Sequence, residues 1–435
     1  LSSTDFITSA GKQNISGTLS ANLSAGETVQ VSLDNGSTWI DASATVGASS
    51  FVLNKQSISG ADTLKVRVVD TAGNAGASKS QAYVLDTTAP SAPSTPDLAS
   101  GSDTGASNSD DNTFSTTPTI SGTAEANATV QVFDTDGVTV IATTTADGSG
   151  NWSVATSTLS EGAHTLTAKA TDSAGNVSNA SSGLSIVVDT EAPTNAAYLD
   201  LLSNDTGLYT DDFVTNAASQ TISGTLSDPL ASGETVQVSL DNGSTWVDAT
   251  AKLGGSTFSL SGQTLTTSDT LKVRVIDTAG NAGSVDSHSY TFDQTAPSAT
   301  VSTVAFSSDT GVSTTDFITN VAAQTISVTV SANFAADEFV EISLDNGNSW
   351  STYSTTVGKN TFSVAGQTLA GNDTLLVRVV DLAGNAGKLY TQAFELDTTA
   401  PTTSVSTVAF SNDTGTSATD FVTATASQTI SGTLS

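Results

Sequence analysis

Acidic residues recur through the chain in three short motifs. Asp-x-Ala-Gly-Asn begins at Asp70, Asp172, Asp277 and Asp381, Asp-x-x-Ala-Pro at Asp86, Asp189, Asp293 and Asp397, and Asp-Thr-Gly at Asp103, Asp205, Asp309 and Asp413. Carboxylates held together by a folded scaffold repel one another unless neutralised. Hard oxygen ligands in loops are what Ca²⁺ prefers, since it takes about six to eight oxygens in flexible geometry. Mg²⁺ demands a tighter octahedron and keeps its waters. Zn²⁺ wants His or Cys, and the chain has only His164 and His288 and no cysteine. Calcium is therefore the expected ligand.

The same inventory offers little to catalysis. Thiol chemistry is impossible, a serine nucleophile needs a partnered His, and neither His164 nor His288 recurs in the other copies of the repeat. The Gly148–Gly150 segment lacks the following Lys and helix of a phosphate cradle. Glycosidase-type carboxylate pairs would need a cleft lined by aromatics, whereas these acids are expected at domain ends. The chain is expected not to be an enzyme.

What positions the acids is a repeat of roughly 103 residues. Four copies fit, at 1–90 with its opening missing, 91–193 in a divergent form, 194–297 and 298–401, and residues 402–435 restart the pattern. Within a copy, apolar and polar residues alternate with the period of a half-buried strand. Val29, Val31 and Leu33 interleave with polar neighbours, as do Leu64, Val66 and Val68, and Val236, Val238, Leu240 and Val340, Ile342, Leu344 repeat the first run. Asp34-Asn35-Gly36, with counterparts at Asp241 and Asp345, supplies the Asn-Gly pair of a tight hairpin. In the first copy strands are expected near 5–8, 14–20, 28–34, 37–42, 50–53, 63–70 and 77–86. About seven antiparallel strands in ~100 residues predict an all-β chain of tandem immunoglobulin-like β-sandwiches in a linear array. Phe51, Phe258 and Phe362 belong to the fifth strand, and Trp152 takes that place in the second copy.

Alternating strand direction then predicts where the acids converge. The end of one copy should meet the top of the next, where the second-to-third and sixth-to-seventh loops lie. The first junction would gather Asp86, Asp103, Glu125, Asp172 and Asn176. The second would gather Asp189, Asp205, Glu234, Asp277 and Asn281, and the third Asp293, Asp309, Glu338, Asp381 and Asn385. Asp111, Asp212, Asp316 and Asp420, near the first-strand Phe, could add a further ligand. Taken singly, each Asp-x-Ala-Gly-Asn reads as a turn, because Asp and Asn before Gly are turn formers. Recurrence of acids from three separate regions in every copy favours calcium.

Composition narrows the partners. The 43 acids against 12 Lys plus Arg leave a net charge of −31 over 435 residues, with no electrostatic footprint for nucleic acid or anionic lipid. No apolar run approaches the ~18 residues of a membrane span. Cys and Met are both absent, and a chain beginning at Leu1 is expected to be a piece of something longer. The expected partners are neighbouring repeats and calcium ions.

The motifs resemble the bacterial immunoglobulin-like repeats of giant surface adhesins, such as biofilm-associated proteins and related type I-secreted adhesins. The resemblance rests on Asp-Thr-Thr-Ala-Pro at 86–90, Ser-Asp-Thr-Gly at 102–105, Asn-Ser-Asp-Asp-Asn-Thr at 108–113, Pro-Thr-Ile-Ser-Gly-Thr-Ala-Glu at 118–125 and Ala-Thr-Asp-Ser-Ala-Gly-Asn at 170–176. It covers all four copies and is tightest in the second. It implies extracellular extender domains on a bacterial surface, with Ca²⁺ stiffening the junctions through Asp86, Asp103, Glu125 and Asp172, to project a distal domain for adhesion or biofilm formation. Two other readings stand beside it. One is a ligand- or glycan-binding module centred on the second copy, for which an exposed Phe133–Trp152 cluster would speak. The other is an accessory stalk of a secreted polysaccharide-degrading enzyme.

Overall fold

The computed structural model describes residues 4–435, so the first three residues of the 1–90 repeat lie outside it. Every regular element among the described residues is a strand, and none is a helix long and apolar enough to cross a membrane. Each full repeat builds two facing sheets. In the third, one sheet runs Val214–Thr215, Asp286–Phe292, Asp269–Ile276, Thr235–Ser239, Val247–Asp248, and the other runs Ala197–Leu202, Ser219–Leu226, Thr257–Thr264, Thr250–Ala251. These are tandem immunoglobulin-like sandwiches.

Alternation builds the cores. In the third repeat Val236 and Val238 point inward with Leu271, Val273 and Val275 and meet Ile222, Phe258 and Leu260 of the facing sheet. The second, fourth and first repeats form separate clusters of the same kind. Buried apolar side chains of this sort contribute ~1.5–3 kcal/mol each.

The opening segment of each repeat divides between the two sheets. Ala197–Leu202 pairs antiparallel with Ser219–Leu226, while the short Val214–Thr215 pairs parallel with Asp286–Phe292 in the opposite sheet. The second and fourth repeats do the same with Asp97–Leu98 and Asn112–Thr113, and with Val301–Phe306 and Ile318–Thr319. The Asp-Thr-Gly loop joins the two halves. The first repeat has only the parallel half, Ile7–Thr8, so a strand count made on that copy misses the opening strand.

The Asn-Gly turns hold the expected backbone, with Asn35 at φ 54° and Gly36 at φ 96°, and matching values at Asn242–Gly243 and Asn346–Gly347. They are not two-residue hairpins. Strand pairing stops at Val31↔Ile40, and the intervening loop is closed by the Asp34 carboxylate, which accepts from the Thr38 N–H and hydroxyl. Hydrogen bonds from the Thr38 side chain and backbone, and then from Ser32, hold the Asp34 carboxyl down to about 2.

Candidate interdomain cation site

The Asp-x-Ala-Gly-Asn loop first organises itself. Asp277 Oδ1 accepts from the N–H groups of Ala279 and Asn281, and its Oδ2 accepts from Asn281 Nδ2 at 2.8 Å. Asp172 and Asp381 make the same bonds with Asn176 and Asn385. Burial works to raise the Asp172 carboxyl, but the Asn176 side chain and backbone, with the Gly175 and Ala174 N–H groups, hold it below the usual range.

The Asn of each loop then reaches the preceding repeat. Asn176 Nδ2 donates to the Asp86 carbonyl at 2.9 Å, Asn281 to that of Asp189 at 2.8 Å, and Asn385 to that of Asp293 at 2.9 Å. Three expected groupings are thereby brought together: Asp86 with Asp172 and Asn176, Asp189 with Asp277 and Asn281, and Asp293 with Asp381 and Asn385. The contact to the preceding repeat is a carbonyl, because Asp189 and Asp293 spend Oδ1 on the N–H groups two residues along, as Asp86 does on Thr88.

Asp103, Asp205 and Asp309 sit one junction later than expected. The opening strand carries the chain from the top of the sandwich to the bottom before Asp-Thr-Gly is reached, so Ser102 Oγ accepts from the N–H of Thr119 at the start of the next strand. Asp103 therefore lies on the second junction, with Asp189 and Asp277, and not on the first with Asp86. Thr104 Oγ1 accepts the Phe114 N–H and donates to the carbonyl of Ala279 in the following repeat at 2.8 Å. Thr206 repeats this with Asn216 and with Ala383 at 2.9 Å, placing Asp205 beside Asp293 and Asp381.

The backbones meet closely here. A Cβ on Gly207 would stand 1.9 Å from the Leu382 carbonyl oxygen, and one on Gly384 would stand 2.4 Å from that of Thr206. Only glycine fits on both sides, and Gly384 also holds φ +86°.

The glutamates have another task. Glu234 Oε2 accepts from the Ala231 N–H and Asn195 Nδ2, and Glu338 Oε2 from the Ala335 N–H, so each caps its own turn within one repeat. Glu125 is exposed. Among the further candidates, Asp111 is not the counterpart of Asp212, Asp316 and Asp420. Asp111 holds the positive φ that Phe213, Phe317 and Phe421 hold, and Asp110 makes the turn bond to the N–H two residues on, as Asp212, Asp316 and Asp420 do.

Two carboxyls in the Asp-Thr-Gly loops stand above the usual range. Burial pushes Asp103 up, and the adjacent Asp110 carboxylate adds to this against the opposing Asp111 N–H. Burial likewise raises Asp205, where the Phe213 N–H opposes and Asp212 reinforces. Among the described residues no three His, Asp or Glu side chains converge as a ready-made metal cluster. Any cation bound at a junction has to draw on backbone oxygens as well as carboxylates.

Other candidates lie in ordered structure. His164 is buried, with Nδ1 2.8 Å from Asp134 Oδ1 and Nε2 3.0 Å from the Ser160 carbonyl. His288 stacks on Phe213. Trp152 and Phe133 are 4% and 8% exposed, so they form no surface platform. Sequence reasoning missed Arg67, Arg274 and Arg378, each seated over the Trp that follows the Asn-Gly turn, with centroid distances of 3.8, 4.0 and 4.3 Å.

Comparison with known sequences decides the family. Two sequence families, both described as bacterial Ig-like domain, match residues 89–190 and 295–398, and residues 8–87 and 218–294. The chain belongs to the bacterial Ig-like domain proteins. No curated protein matches it. Among solved structures it is similar to a Ca²⁺-stabilized adhesin by which an Antarctic bacterium reaches out and binds ice, at 22% identity over 89% of this chain and 94% of that one, with a TM-score of 0.26. A biofilm-associated protein BSP domain is 12% identical over 92% and 95%, with a TM-score of 0.16. Fibronectin(III)-like modules of Clostridium thermocellum CbhA are 20% identical over 43% and 92%, with a TM-score of 0.29. These bacterial Ig-like repeats are joined through the Asp-x-Ala-Gly-Asn and Asp-Thr-Gly loops.

Proposed function

We propose that this chain is an extender segment of a large bacterial surface adhesin, and that Ca²⁺ at the junctions stiffens the array to project a distal binding domain. The observation that carries the reading is the repeated junction. Successive repeats are tied by the same Asn-to-carbonyl and Thr-to-carbonyl bonds, while buried carboxylates crowd the same place. A chain of near-identical units with specialised joints and no specialised pocket serves length.

Calcium is the cation that suits the donors. A net charge of −31 favours cation uptake in general, and the mixture of carboxylate and backbone oxygens in loops matches Ca²⁺ rather than Mg²⁺. Extracellular modules bind calcium with Kd of about 10⁻⁴ to 10⁻³ M. At ~10 mM Ca²⁺ and a Kd of ~0.1 mM, each site would stabilise its junction by ~2.7 kcal/mol.

Small-angle scattering in calcium and in chelator tests this. At ~3.3 Å per strand residue, four sandwiches in line span on the order of 150 Å. The expected outcome is a maximum dimension near that value in calcium and a broader, shorter ensemble in chelator. Identical profiles would reduce the junction acids to turn formers and solubilising charge.

A further inference from the structure

The hydrogen-bonded clamps leave one feature of the junction unexplained. Asp103 is buried, with 6% of its surface exposed, and its Oδ1 has no hydrogen-bond partner. The same atom is orphaned in Asp205, Asp309 and Asp413. A buried carboxylate oxygen without a donor costs about 1–3 kcal/mol or more. Its recurrence in every Asp-Thr-Gly loop marks it as a built feature that calls for an unseen partner.

The surroundings supply oxygens and no donor. The Asp110 carboxylate lies against that of Asp103 and accepts only the N–H groups of Asn112 and Ser107, leaving lone pairs free. Gly105 keeps a space open beside it. A Cβ there would stand 2.5 and 2.9 Å from the two Asp110 carboxylate oxygens and 2.6 Å from the carbonyl oxygen of Thr278 in the next repeat. Gly311 and Gly415 stand in the same relation to Asp316 and Asp420, with Oδ1 3.1 and 3.0 Å from the missing Cβ. In the third repeat Gly207 faces the Leu382 carbonyl.

We propose that the Asp-Thr-Gly-x4-Asp loop is a calcium site, held by the Asp103 and Asp110 carboxylates together with the Thr278 backbone oxygen of the following repeat. The third repeat builds the same site from Asp205, Asp212 and the Leu382 carbonyl. The site deepens the reading of a calcium-stiffened array and takes the identity of the cation from it. The Asp-x-Ala-Gly-Asn carboxylate, saturated by its own Asn and N–H groups, then acts as a hydrogen-bonded clamp, and the cation sits one motif away.

Calorimetric titration of the full chain with Ca²⁺ tests the assignment. Asp103→Asn should remove one site from the stoichiometry, and the double variant Asp103→Asn/Asp205→Asn should remove two. Asp136→Asn, in an exposed turn, should bind as the parent does. Thermal melting in chelator checks that the variants fold. If Asp103→Asn does not, Asp110→Asn and Gly105→Ala, which fills the space, are expected to lose the same site. Unchanged stoichiometry and affinity in these variants would overturn the assignment. So would a parent that takes up no calcium while the Asp103–Asp110 pair shares a proton seen by carboxyl NMR. Scattering separates the two levels. A chain that still extends in calcium when both sites bind as before keeps the array reading and loses this site. Loss of the sites with no change in extension keeps the site and loses the reading.

Discussion

Asn281 donates one side-chain amide to two acceptors, the carboxylate of Asp277 in its own loop and the carbonyl of Asp189 in the preceding repeat, both at 2.8 Å. A loop that has already satisfied its own carboxylate thus presents a rigid donor to its neighbour. The junction is oriented before any ion binds.

Asn281→Ala should therefore loosen the second junction without unfolding either repeat. Two acceptors lose their donor, and a net hydrogen bond contributes about 1 kcal/mol. Distances between spin labels on the second and third repeats should broaden, with those across the third junction unchanged. An unaltered distribution across the second junction would remove the clamp from the joint.

Backbone proximity predicts a larger effect from a smaller side chain. Gly207→Ala places a Cβ 1.9 Å from the Leu382 carbonyl oxygen, which neither backbone can accommodate without separation. Labels on the third and fourth repeats should move apart, while Gly101→Ala, whose Cβ meets nothing within 4 Å, leaves every distance as it was. Equal behaviour of the two variants would mean that the junction is already open in solution.

His164 gives the second repeat a pH signature. Burial alone would lower its pKa, but the hydrogen bond from Asp134, the Ser160 carbonyl and the Asp134 charge together raise it. Asp134 is held down, against burial, by His164 and the Thr135 N–H. A raised His contributes stability fully below its unfolded pKa of about 6.5, and that stability is lost as pH rises through the folded value. A lowered Asp contributes above about 3.9, lost as pH falls through its folded value. The melting temperature of this repeat should thus peak between roughly pH 4 and 6.5. His164→Ala should flatten that profile and cost on the order of 1–3 kcal/mol. A wild-type profile flat from pH 5 to 8 in His164 NMR and melting would refute the pairing.

Much of this architecture was legible in the alternation of Val29, Val31 and Leu33 and in the spacing of the acidic motifs, because a strand with one buried face writes its period into the chain. The misplacement of Asp103 came from the first copy, whose parallel half-strand at Ile7–Thr8 hides the opening strand that carries the later loops across the sandwich. Asp111 stood next to the right residue, one position off, because the positive φ that identifies it with Phe213 is a backbone property. Glu234 fell to a competing local bond, since a carboxylate three residues after Ala231 can cap its own turn. The seat of Arg274 over Trp246 was out of reach, because it needs the register of Thr235–Ser239 against Asp269–Ile276.

Trp152 separates a spacer from a carbohydrate-binding module. A sugar platform needs an exposed ring, whereas this one is 4% exposed and packs with Ile120, Val130 and Leu166 in the core of the second repeat. Trp152→Ala should cost about 3–5 kcal/mol of that repeat's stability through the lost transfer energy and the cavity left behind. Calorimetric melting of the full chain should show the second repeat unfolding first, with the transitions of the other repeats in place. A repeat that keeps its melting temperature but loses retention on a glycan array would give the residue to recognition and make the second repeat a binding module.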